Sequence, residues 1–104
     1  MKTKSSIYYL RREIALLETR LAELLRAESA EAGAELADKI ASRRRELLAA
    51  EGEEIDRIRQ VPDPELRVIL YGRDVLCKPW PAIAASLGPG HTADGCRKKY
   101  NRSM

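Results

Sequence analysis

At 104 residues, with 34% of them charged and only five aromatic, the chain has room for one ordinary domain but little for a deep core with a substrate cavity, which counts against most enzyme folds. Its net charge of +3 lies entirely beyond residue 61: residues 1–61 hold 12 basic and 12 acidic side chains, residues 62–104 seven and four. No apolar run is long enough to span a bilayer, and no signal-like hydrophobic stretch follows Met1-Lys-Thr-Lys, so the composition predicts a cytoplasmic chain without a membrane partner.

All five prolines and four of the six glycines also lie beyond residue 61. The first part therefore reads as long helix and the second as short helices divided by turns, an all-α chain throughout. Ile7, Leu10, Ile14, Leu17, Leu21 and Leu24 recur at alternating spacings of three and four, the a/d seam of a coiled coil. About two and a half heptads are too few to be stable alone in water. The stripe needs a cover, from another segment of the chain or from a second copy, and a homodimer is expected. Leu36, Ile40, Leu47, Ile55 and Ile58 mark a second helical stretch, interrupted by Arg43-Arg44-Arg45 and Gly52. Gly33 is the natural place for a bend, which favours an antiparallel hairpin, with one continuous helix as the alternative. Residues 1–60 are thus a helical or coiled-coil oligomerisation region.

Val61-Pro62-Asp63-Pro64 is the boundary, where Asp63 can cap the next helix and Pro64 take its first position. Leu66, Ile69, Leu70 and Leu76 then give a helix ending near Lys78-Pro79. A short helix over Trp80–Gly88 stops at its glycine, Gly88-Pro89-Gly90-His91 turns, and Thr92 caps a last helix from Ala93 to about Arg102. Residues 62–104 therefore predict a three-helix, helix-turn-helix module in which Ile83 and Leu87 pack against Cys96 and Tyr100. The opposite face of the last helix carries Asp94, Arg97, Lys98, Asn101 and Arg102. Arginine and lysine suit guanine edges and phosphates, asparagine suits adenine, and aspartate can accept from cytosine. The basic end thus expects double-stranded DNA. Thr92 would bring helix N–H groups to a phosphate, Asp94, Arg97, Lys98 and Asn101 would face bases, and Lys99 and Arg102 would hold the backbone.

Ile55-x-x-Ile58, Leu66-Arg67-x-Ile69-Leu70, Trp80-x-x-Ile83-Ala84-x-x-Leu87-Gly88 and Arg97-Lys98-Lys99-Tyr100-x-Arg102 resemble small phage-encoded transcription regulators, whose C-terminal module is similar to the region-four helix-turn-helix of bacterial sigma factors. The resemblance covers residues 55–104 and implies a DNA-binding regulator. The interval from Gly88 to Cys96 is two residues longer than the compact turn, a length also seen in Myb/SANT-like trihelical modules. Trp80-x-x-Ile83-Ala84-x-x-Leu87, His91-Thr92 and Cys96-Arg97-Lys98-Lys99-Tyr100 are similar to their second and third helices, with Val61 standing where the first Myb aromatic would be. Both resemblances imply a three-helix DNA-binding module.

Other chemistry finds less support. Trp80 and Tyr100 could stack on single-stranded bases, but a tryptophan at a helix start beside Ile83 is more often core. Cys77 and Cys96 make no disulfide framework, and with His91 they form no zinc-ligand spacing, so no metal or other cofactor is expected. Gly88-Pro89-Gly90 lacks the Lys-Ser/Thr of a phosphate loop. A single histidine and no nucleophile constellation predict no enzyme. The rival from another class is an adaptor or assembly protein, in which the coil does the work and the C-terminal bundle docks on a protein such as RNA polymerase.

Overall fold

The computed structural model describes residues 6–103, an all-α chain 52 Å long and 24 by 23 Å across. In order come α1 (Ser6–Arg26), α2 (Ala30–Arg59), α3 (Pro64–Leu70) running directly into a π-helical segment (Tyr71–Val75), α4 (Trp80–Leu87) and α5 (Ala93–Arg102). No strand occurs among the described residues.

Helices α1 and α2 form an antiparallel hairpin. Arg11 pairs with Glu51 at 2.9 Å, Arg43 with Glu13 at 2.8 Å and Arg44 with Glu18 at 2.7 Å, which fixes the register. Two of the three arginines that interrupt the apolar repeat, Arg43 and Arg44, thus serve the hairpin itself. Ile7 and Ile14 of the α1 seam are buried with Ile40 and Ile58 of α2, while Leu10, Leu17, Leu21 and Leu24 are half-covered. The bend is not at Gly33. It lies at Ala27-Glu28-Ser29, where the Ser29 N–H donates to the Leu24 carbonyl (3.0 Å) and the Glu28 N–H to that of Leu25 (3.2 Å). This is a Schellman ending, with Glu28 at φ +58° in the left-handed position that glycine usually fills. Gly33 instead sits inside α2 against α1, where an added methyl would meet Leu21 and Leu25 at an ordinary 3.8 Å.

At the elbow, the Asp63 carboxylate accepts from the backbone N–H of Glu65 (3.0 Å), and Pro64 opens α3. Arg67 closes the elbow by donating to the carbonyls of Val61 (2.6 Å) and Pro62 (3.2 Å). Beyond it, Ile69, Ile83, Ala84, Cys96 and Tyr100 form a contiguous core, flanked by Leu70, Trp80 and Leu87.

The helix expected to run unbroken to Lys78 widens instead at Tyr71. The Leu76 N–H reaches back five residues to the Tyr71 carbonyl (3.0 Å), and Cys77 ends the segment at φ +56°. Two contacts account for the departure. A Cβ at Gly72 would stand 2.9 Å from Ile83 Cγ1, so the backbone lies directly on α4. Asp74 turns inward, where its carboxylate accepts from the Tyr100 hydroxyl at 2.6 Å. Val75 is buried as well, and Leu76 moves to the edge. The π segment also touches α1 and α2, seating the C-terminal bundle on the base of the hairpin.

Candidate nucleic-acid interface

The unit α4–turn–α5 is assembled by local chemistry. Gly88 leaves α4 at φ +94° and Gly90 follows at +88°, backbone conformations that side chains rarely adopt. Thr92 then takes an extended conformation, and its Oγ1 accepts from the Gly95 N–H at 3.0 Å. His91 braces the turn, with Nδ1 3.3 Å from the Gly88 carbonyl and Nε2 3.7 Å from the Glu65 carboxylate.

Helical periodicity divides α5 into two faces. Cys96 and Tyr100 point into the core, where burial pushes the Cys96 thiol pKa up. Trp80 packs edge-on to Tyr100, with ring centroids 5.2 Å apart, and the Arg73 guanidinium lies over the Trp80 ring at 4.4 Å. Asp94, Arg97, Lys98, Asn101 and Arg102 are exposed together on the outer face. Asp94 holds two of the cations: Oδ1 accepts from Arg97 Nη2 at 2.6 Å, and Oδ2 lies 3.0 Å from Lys98 Nζ. The Arg97 and Lys98 hydrogen bonds keep its carboxyl below the usual aspartate range.

Lys99, expected at a phosphate, stands apart from this face. Its side chain is 28% exposed, and its ammonium lies 2.8 Å from Asp63 and 3.4 Å from Glu65. That pairing raises the Lys99 pKa, chiefly through the hydrogen bond to Asp63, and lowers that of Asp63. Lys99 therefore ties α5 to the start of α3.

No family model, curated protein or solved structure matches this chain. Among the described residues no cluster of histidine, cysteine and carboxylate side chains is arranged to hold a metal ion, and no helix is long and apolar enough to cross a membrane.

Two elements escaped the sequence reading. Asp74 and Arg73 lie in a stretch without motif or periodicity, yet one receives Tyr100 and the other covers Trp80. The available signal was Tyr100 itself, because a buried phenol requires a hydrogen-bond partner. The ion pairs of Lys99 had no such signal, since Asp63 lies 36 positions away.

Proposed function

We propose that this chain is a sequence-specific double-stranded DNA-binding transcription regulator that places α5 in the major groove. The observation that carries the reading is the outer face of α5, where Asp94, Arg97, Lys98, Asn101 and Arg102 stand exposed on a helix anchored by a core and a threonine cap. Ten residues of helix are about 15 Å long, a size that the major groove admits. Arg97, Lys98 and Asn101 are the base-facing residues of this proposal, Arg102 and the Thr92 cap its phosphate-facing ones, and Lys99 positions the helix. The resemblance to sigma region-four-like and Myb-like modules supports the same use, and the reading assigns the chain no catalytic role.

The hairpin supplies the second part of the proposal, a homodimer. Leu16 (72% exposed) and Leu48 (69%) lie outside the hairpin's own seam, whose leucines are only half-covered. Sedimentation of the wild type at dimer mass supports this, and monomer mass confines the stripe to its intrachain role.

The adaptor reading has an observation of its own. The acids that pair Arg97, Lys98 and Lys99 reduce the positive field available to a polyanion. Duplex titration at several salt concentrations separates the two. A DNA reader loses affinity as salt rises, and Arg102→Ala shallows the slope by about one unit. Unchanged duplex affinity in Arg97→Ala, Lys98→Ala and Arg102→Ala favours protein docking.

A further inference from the structure

We infer that Asp94 is a specificity-determining positioning residue, which clamps Arg97 for a guanine edge and withholds Arg97 and Lys98 from phosphates. The inference rests on the DNA-binding reading above and concerns how that face discriminates between sequences.

Residue type alone suggested Asp94 as an acceptor for cytosine. The structure gives both of its oxygens to neighbouring cations instead, Oδ1 to Arg97 and Oδ2 to Lys98. The arrangement follows from helix geometry, since residues three and four ahead share a face. Its anchor is firm, because Asp94 is two positions beyond the Thr92 cap.

Two consequences follow from the charges. Asp94, Arg97 and Lys98 together present one positive charge rather than two, and a phosphate must compete with a carboxylate already 2.6 Å from Arg97 and 3.0 Å from Lys98. That weakens the sequence-independent, salt-dependent part of binding. The clamp also holds Arg97 by Nη2 alone, and among the described residues no carboxylate meets its Nε or Nη1. Nη2 carries two N–H groups, one on each paired edge of the guanidinium, so a single bond to Asp94 leaves one edge, Nη2 with Nη1 or Nη2 with Nε, with the two donors that guanine O6 and N7 require. A flexible arginine would lose side-chain freedom on reaching a base, and a clamped one has already lost it. All three side chains are at least half exposed, so a base edge can reach the cluster.

The test uses the full chain, a duplex recovered by selection from random DNA with the wild type, and a scrambled duplex of the same composition. Asp94→Asn keeps the shape and removes the charge, and Asp94→Glu keeps the charge. For Asp94→Asn the expected result is tighter binding to the scrambled duplex, a salt slope steeper by about one unit, and an affinity ratio between the two duplexes that falls about tenfold. Asp94→Glu is expected to stay near the wild type. The ratio is the decisive readout, because partial unfolding lowers affinity for both duplexes by the same factor and cancels. An unchanged ratio and slope in Asp94→Asn, or an equal loss on both duplexes, overturns the inference while leaving the DNA-binding reading in place. A wild type that binds neither duplex overturns that reading and the inference with it.

Discussion

The hairpin and the C-terminal bundle are built from the same element, yet they are held together differently. Across α1 and α2 the buried side chains are scattered isoleucines, Ile7, Ile14, Ile40 and Ile58, and the intervals are filled by half-covered leucines and by partly exposed ion pairs. Such pairs set register more than they stabilise. In the bundle, Ile69, Ile83, Ala84, Cys96 and Tyr100 touch as one cluster, backed by a buried hydroxyl–carboxylate hydrogen bond. The region with one contiguous core is the one that displays the charged face of α5, and the hairpin is the one that leaves Leu16 and Leu48 exposed. Under the proposed function, a DNA-reading helix needs fixed side-chain positions, whereas a dimerisation surface needs apolar area.

The comparison breaks most visibly in the two cores. Ile83→Ala is expected to cost about 2–5 kcal/mol in urea unfolding, and Leu48→Ala, exposed within one chain, to stay within about 0.5 kcal/mol in dilute, monomeric protein and to cost more only where the proposed homodimer forms. Equal losses at the two sites in dilute, monomeric protein would mean that the bundle core is loose.

The same substitution in each region gives opposite signs. Gly72→Ala drives a methyl into Ile83 and is expected to destabilise by roughly 1–3 kcal/mol. Gly33→Ala, in the first turn of α2, meets only ordinary contacts and is expected to stabilise by up to roughly 1 kcal/mol. Thermal unfolding of the two variants beside the wild type checks both signs at once.

That pair also marks how far local chemistry was legible in the sequence. The elbow at Pro62, the Asp63 and Thr92 caps, the stop at Gly88 and the inward Cys96 and Tyr100 were readable because each depends on its near neighbours. Gly33 misled because a glycine is the obvious place to turn, whereas the chain turns four to six residues earlier through a glutamate at positive φ. The π segment was hidden for another reason. It depends on Gly72 meeting Ile83 and Asp74 meeting Tyr100, contacts that span 11 and 26 positions. For the candidate site, the exposed face was legible from periodicity, but the acid partners of its cations were not. Residue type alone places Asp94 at a base and Asp63 at a cap, and neither position announces the cation it pairs.

A smaller effect sharpens the account of the bundle's polar interior. Tyr100→Phe removes the donor to Asp74 while keeping the ring against Trp80. The expected cost is roughly 1–3 kcal/mol, read by urea unfolding. A neutral result would reduce the π segment to a matter of packing at Gly72.

The smallest expected effect is the pH dependence of the Lys99 tie. Because the folded Asp63 pKa is depressed, its contribution is present above the ordinary aspartate value and is lost as pH falls through the lowered folded one. Because the folded Lys99 pKa is raised, its contribution is present below the ordinary lysine value and disappears as pH rises through the higher folded one. The Tm difference between wild type and Lys99→Ala is therefore expected to be flat through neutral pH and to shrink at both extremes. A difference that changes between pH 6 and 8 would contradict this assignment of the tie to Lys99 and Asp63.

The division of labour between the two regions is tested most directly by titrating the isotopically labelled chain with a selected DNA duplex and following its backbone amide resonances. The account predicts shifts concentrated in the Gly88–Thr92 turn and along Asp94, Arg97, Lys98, Asn101 and Arg102, with the hairpin around Leu16 and Leu48 unmoved. Shifts centred on the hairpin, or none at a saturating duplex concentration, would contradict it.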